Sequence, residues 1–170
     1  TAAAYATLWL RKPSLVRPPR LERRKESPMP PKTSPDPLYD PIAQSFRSQA
    51  FLTLLGAQLR SVAPGKVVIS CRRRPELGQQ QVLLHGGVVA TIADVTCGYT
   101  ALTTMPEGYE VLTAEFKINL LRPGVAEEIV ATGQEIKAGR ALVITEAEVR
   151  DGNTGTLLAK MLGTMVPTQL

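Results

Sequence analysis

A single carboxylate, Asp94, stands inside the most apolar stretch of this 170-residue chain, and the run His85-Gly86-Gly87 opens the same stretch. At helical spacing the neighbours of Asp94 three and four residues away are Ala90, Thr91, Cys97 and Gly98, none of them cationic. Burying an unpaired carboxylate costs several kcal/mol or raises its pKa. Either a group outside the helix satisfies Asp94 or the carboxylate does chemical work, and the residues alone leave both readings open. Gly86 and Gly87 let a ligand approach the backbone, and the N–H groups of a first helical turn, with the helix dipole behind them, stabilise an oxyanion. A Gly-Gly pair before a helix can equally be a plain turn. Eight residues separate Gly86 from Asp94, about 12 Å along a helix at 1.5 Å per residue. One reacting carbonyl cannot touch both. If both serve one reaction, the second comes from another subunit, most simply across a two-fold axis with two composite sites.

The elements that position these groups follow from periodicity. Ile42, Phe46, Ala50 and Leu54 recur at steps of four and Gly56 follows, which predicts one amphipathic helix over 42–55. Residues 58–62 and 66–73 read as two strands joined at Pro64-Gly65. From Gly87 to Thr103 apolar residues cover nearly the whole helical wheel, so this helix must be enclosed by protein on most sides. Beyond it Ala114, Phe116, Ile118 and Leu120 alternate with Thr113, Glu115, Lys117 and Asn119, the period of a half-buried strand. Strands over 128–137, 140–150 and 157–166 follow, separated by Ala138-Gly139 and by the turn residues 151–155. Short connections favour antiparallel neighbours. The expected domain is α+β, one long buried helix wrapped by an antiparallel sheet.

The stretch ELGQQQVLLHGGVVATIADVTCGYTA over 76–101, followed by LTAEFKINLLRPG over 112–124, resembles the hotdog-fold acyl-CoA thioesterases of the phenylacetic-acid-degradation type. The similarity runs from about Asp40 to Thr168 and takes in Lys137-Ala-Gly-Arg140 and Gly163-Thr-Met-Val-Pro167. It implies hydrolysis of acyl-CoA to free acid and CoA in a homodimer or a dimer of dimers, within lipid metabolism. It further implies Gly86 as the oxyanion-hole N–H and Asp94 as nucleophile or general base acting across the dimer interface. His85 would position the thioester or the loop, Thr113 would bond the water or the acid, and Gln79 stands where many members carry Asn. Val82 replaces a common Gly three residues before the His. No cofactor and no metal are implied, since thioester hydrolysis needs a stabilised oxyanion and an activated nucleophile, and a thiolate leaves with little acid help. Gly87 lies where substrate meets backbone, and Arg122, Lys137 and Arg140 could meet the CoA phosphates, or simply be solvated strand ends.

Other chemistries find less support. There is no Gly-x-Ser-x-Gly elbow, phosphate loop or dinucleotide fingerprint, and Cys97 lies twelve residues from His85, about 18 Å along a helix. A hotdog module that binds acyl-CoA without hydrolysing it is the main alternative, and Asp94 argues against it because a pure binder gains nothing from a costly charge. A hotdog dehydratase would pair a histidine with a carboxylate in a different motif.

The net charge of +5 sits at one end. Residues 1–35 hold eight basic and two acidic side chains, the remainder twelve basic and thirteen acidic, so the body has no general electrostatic reason to bind nucleic acid. Nine of the fourteen prolines fall at or before Pro41, and residues 1–37 are expected to be a disordered Pro/Arg-rich tail ahead of a domain over 38–170. Two cysteines make no disulfide framework and, with one histidine, too few ligands for a closed zinc site. With no stretch apolar enough for a membrane span, the expectation is a soluble protein of the cytoplasm, or of the mitochondrion if the Arg-rich opening is a targeting segment.

Overall fold

The computed structural model describes residues 39–80 and 83–169. The expected tail and Val82 lie outside them. Helices α1 (Tyr39–Ser48) and α2 (Ala50–Leu55) lead into the hairpin β1 (Ala57–Ala63) and β2 (Lys66–Arg72). A short 3-10 turn (Pro75–Leu77) precedes the long helix α3 (Gly86–Leu102). Strands β3 (Tyr109–Leu120), β4 (Glu128–Ala138), β5 (Val143–Asp151) and β6 (Leu157–Gln169) complete the chain. All six strands form one antiparallel sheet in the order β1-β2-β4-β5-β6-β3, with α3 packed against it. This is the α+β hotdog arrangement.

The helix expected over 42–55 is broken. Gln49 is extended (φ −79, ψ 102), which ends α1 and starts α2 on a new axis. Ile42 and Phe46 keep their buried face in α1, but in α2 Leu52 and Leu55 are buried while Ala50 and Leu54 face solvent. The step of four was a coincidence of two shorter periods. Gly56 ends α2 as expected, in the left-handed region at φ 68, where a residue without Cβ is unstrained. The β4–β5 connection is longer than Ala138-Gly139, because Ala138 pairs with Val143 and residues 139–142 form the turn.

Helix α3 is built to be enclosed. Thr96 and Thr100, both buried, return their hydroxyls to the carbonyls of Ile92 (2.6 Å) and Thr96 (2.7 Å), so neither needs a partner from the sheet. The sheet meets this side with glycines. A Cβ on Gly133 of β4 would lie 2.1 Å from Thr100 Oγ1 and 3.0 Å from the Thr96 carbonyl, and one on Gly163 of β6 would lie 2.8 Å from Met165 Cε and 3.5 Å from Cys97 Cβ. The opposite side of α3 is not sealed: Gly87, Thr91, Asp94, Val95, Gly98 and Leu102 retain exposure.

Strand β3 departs from its expected period. Its register against β6 slips between Thr113 and Glu115, a bulge at Ala114. Thr113 reaches Asp94 on α3, while Leu120 approaches Gly86 of the same helix and Ile118 packs on the core. Strict alternation would have put Thr113 on the opposite face from Ile118 and Leu120; the extra residue puts all three toward the helix. Nor is β3 half-buried in the single subunit. It is an edge strand with only β6 beside it, and Leu112, Phe116 and Leu120 are 62%, 43% and 53% exposed.

Candidate active site

Asp94 lies midway along the unsealed side of α3 and is half-buried. Thr113 Oγ1 donates to Asp94 Oδ1 at 2.9 Å, and among the described residues no salt bridge reaches the carboxylate. Burial pushes the Asp94 pKa above its ordinary 3.8, and the Thr113 hydrogen bond pulls the other way. The carboxylate opens into a cleft of about 240 Å³ between α1, α3 and β3. Val95, Gly98, Leu102 and Val111 contribute its apolar wall, and Ser45, Gln49, Tyr99 and Glu110 add polar groups.

The other group of expected site residues gathers at the start of α3. His85 is the N-cap, and its Nδ1 accepts from the Gly87 N–H at 2.9 Å. A ring nitrogen that accepts is unprotonated, so the proton of neutral His85 is on Nε2. With the Gly87 donor engaged by the cap, the Gly86 N–H is left at the helix tip, where it finds no acceptor among the described residues. A Cβ on Gly86 would lie 2.9 Å from Leu120 Cδ1, so the bare backbone here is tied to the end of β3. Gln79 belongs to the preceding loop, pinned by its N–H to Leu83 O (2.8 Å), by the bridge between Gly78 and Leu84, and by His85 N–H to Leu77 O (2.9 Å).

The expected site residues therefore form two separate groups, His85-Gly86 with Gln79 nearby, and Asp94 with Thr113, separated by eight residues of helix, about 12 Å. The three basic residues do not converge either. Arg122 donates from Nη1 to Leu157 O at 2.7 Å and so holds a loop, near the Leu120 end of β3. Lys137 and Arg140 lie at the β4–β5 turn, in the sheet row that runs Ala138, Val143, Met165, Thr113, which is the Asp94 end. Cys97 has no nucleophilic role: burial pushes its thiol up to about 12. Among the described residues no group of three or more His, Cys, Asp or Glu could hold a metal ion, and no helix is long and apolar enough to cross a membrane.

Sequence reasoning missed Ser45, Gln49, Tyr99 and Glu110 as residues of the Asp94 cleft. Tyr99 alone carried a signal, since it follows Asp94 by little more than one helical turn. The other three come from α1, from its break and from β3, and only the fold brings them there.

Comparison with known proteins agrees with this fold. The thioesterase superfamily model matches residues 83–158. Human acyl-coenzyme A thioesterase 13 is 30% identical over 125 residues, covering 72% of this chain and 89% of its own. A thioesterase family protein from Silicibacter pomeroyi is 33% identical and superposes with a TM-score of 0.73 over 76% of this chain and 96% of its own. The E. coli PaaI protein from the phenylacetic acid degradation operon, 20% identical, shares the fold with a TM-score of 0.71 over 77% of this chain and 93% of its own. The chain belongs to the thioesterase superfamily.

Proposed function

We propose that this protein hydrolyses acyl-CoA thioesters to free acid and CoA in a homodimer whose two sites are composite, Asp94 coming from one subunit and Gly86 from the other. The observation that carries the reading is the placement of Asp94: a carboxylate with no cationic partner among the described residues, oriented by Thr113, at a cleft large enough for a small acyl group. Asp94 attacks the thioester carbonyl or draws the proton from an attacking water; the C–S bond breaks, CoA leaves as thiolate, and water supplies the hydroxyl of the acid. The partner's Gly86 N–H, at the positive end of its helix, stabilises the oxyanion. The kinship with an acyl-coenzyme A thioesterase supports the substrate class, and the spacing of His-Gly-Gly to Ala-Asp supports the phenylacetic-acid-degradation type.

The unpaired edge of β3 supplies the means of assembly. A long edge strand with exposed apolar side chains is a template for another strand. Two copies of β3 paired antiparallel about a two-fold axis near Phe116 and Lys117 would bring the Thr113 end of one strand to the Leu120 end of the other. Thr113 marks Asp94 and Leu120 marks Gly86, so the same rotation closes both half-sites. His85 caps the helix that carries the donor, Gly87 keeps that approach open, and Gln79 borders it from the loop. Both cysteines are reduced and buried, in keeping with a cytoplasmic or mitochondrial location.

Thiol release from a panel of acyl-CoAs tests the reading. The parent protein should turn over, and Asp94→Ala should lower kcat at least a hundredfold, on the order of 3 kcal/mol. Binding of acyl-CoA without release by the parent, or an unaltered rate in Asp94→Ala, would overturn it.

A further inference from the structure

Resting on that reading, we infer that Met165 of β6 is a positioning residue for the reaction: its sulfur competes with Asp94 for the one proton of the Thr113 hydroxyl, and so governs how firmly the carboxylate is held. Thr113 and Met165 stand opposite each other in the β3–β6 pairing, and the bulge at Ala114 turns Thr113 to the helix side, where Met165 is fully buried. Thr113 Oγ1 lies 2.9 Å from Asp94 Oδ1 and 3.5 Å from Met165 Sδ. A hydroxyl has one hydrogen to give, so each of these bonds weakens the other.

The sulfur is kept there by the glycine two residues back. A Cβ on Gly163 would lie 2.8 Å from Met165 Cε, so the terminal methyl occupies space that a side chain at 163 would need. β-branched residues suit a buried strand position, and Val143, the partner of Met165 on β5, is one. A methionine brings a flexible chain and a weak acceptor instead. Thr113 is exposed in the single subunit; the β3 pairing proposed above would cover it and leave the sulfur, in place of water, as the rival of the carboxylate.

The competition has a direction. While Asp94 is charged, the shorter, charge-assisted bond draws the Thr113 proton. The sulfur weakens that bond by sharing the proton, which keeps the carboxylate more basic. Once Asp94 has gained a proton it can donate to Thr113 Oγ1, provided the Thr113 hydrogen turns elsewhere, and Met165 Sδ is the acceptor that receives it. Both effects favour the protonated acid. They act with the burial that raises the Asp94 pKa and against the Thr113 bond that lowers it. The other titratable groups close by are Cys97 and Tyr99 on α3, both raised by burial and neutral at physiological pH, and Glu110 on β3. Helix α1 and its break contribute the uncharged Ser45 and Gln49, which bond the Tyr99 hydroxyl at 3.2 and 2.8 Å.

Met165→Leu keeps the bulk and removes the acceptor, and Thr113→Val removes the hydroxyl; the two variants are made singly and together. NMR titration of the Asp94 carboxyl in the folded protein needs no turnover. In Met165→Leu its midpoint should fall by about half a pH unit or more, and the acid limb of kcat/KM, for an acyl-CoA that the parent hydrolyses, should move down with it, while kcat at neutral pH drops severalfold. With Thr113→Val already in place, Met165→Leu should change neither, because the sulfur acts only through the hydroxyl. A loss of packing alone would lower the melting temperature and the rate alike in both backgrounds. A midpoint unmoved by Met165→Leu, or moved equally with and without the Thr113 hydroxyl, would overturn the inference and leave the thioesterase reading intact. A parent that releases no thiol from any acyl-CoA would overturn both, whatever the titration shows.

Discussion

The two sides of α3 follow opposite rules. On the sheet side the packing is close: Thr96 and Thr100 satisfy their own hydroxyls, and Gly133 and Gly163 give up side chains so that the helix can press near. On the other side the helix keeps a carboxylate, a glycine at position 98 and open space. The filled side fixes where the helix lies; the open side uses that fixed position to hold groups that packing alone would not favour. The composite site we propose would need this division, because the half that each subunit contributes would have to be in place before its complement arrives.

The contrast can be broken first on the filled side. Gly133→Val would drive carbon atoms into Thr100 Oγ1 and the Thr96 carbonyl, and backbone cannot yield as a side-chain tip can. We expect a loss of about 3 kcal/mol or more, read as a lower denaturant midpoint, with inactivity following from unfolding.

On the open side the largest effect should come from the helix tip. Gly86→Pro removes the N–H while suiting the first position of a helix, and His85 at φ −64, ψ 135 already has the extended backbone that a following proline requires. The added Cβ would meet Leu120 Cδ1, the end of a flexible side chain that can move aside. Turnover should fall by about a hundredfold with the fold retained. Mixing this variant with Asp94→Ala after unfolding and refolding should restore about a quarter of parental activity, since half the dimers are mixed and each has one intact site. No recovery would place the reacting groups within one subunit.

A smaller loss is expected at the edge. Phe116→Lys puts a charge on β3 at a residue already 43% exposed, so the single subunit should keep its melting behaviour. Sedimentation should show monomers, and turnover should drop by an order of magnitude or more. Dimers with full activity would show that the subunits meet elsewhere.

The mildest change concerns the burden of the carboxylate itself. Because burial raises the folded-state pKa of Asp94 above 3.8, the native protein holds this proton in a window where the unfolded chain has lost it, and stability declines as pH rises through that window. Asp94→Asn keeps an oxygen for the Thr113 hydroxyl and removes the decline. Its melting temperature should match the parent below pH 3.8 and exceed it at neutral pH, while hydrolysis is lost. A variant less stable than the parent at pH 7 would contradict this account.

Much of this was visible in the chain because its causes are local. The enclosure of α3 follows from apolar residues on every side, its start from His85-Gly86-Gly87, and the β1–β2 turn from Pro64-Gly65, where Gly65 adopts φ 68. The distance between Gly86 and Asp94 needs only the rise of a helix. What stayed hidden depends on partners far along the sequence. The break at Gln49 is marked by no proline or glycine; it is held by a tyrosine fifty residues away. The exposure of β3 could not be read from its alternation, because alternation says which face is apolar and not whether anything covers it. Nor do the residues say that β3 pairs with β6 at the end of the sheet, which is what leaves that face open.

Ala114 makes Thr113 answer to a different parity from the residues that follow it in the strand. The methyl group there contributes little, so replacing it would leave the count of backbone units unchanged and the hydroxyl aimed inward. Deleting it is another matter: the odd and even positions before it would trade places, and the oxygen that steadies the acid would swing to the outer surface while the groups from Glu115 onward stayed where they were. The part of this residue that matters is its existence, and a lineage could vary its side chain freely while never losing the unit itself.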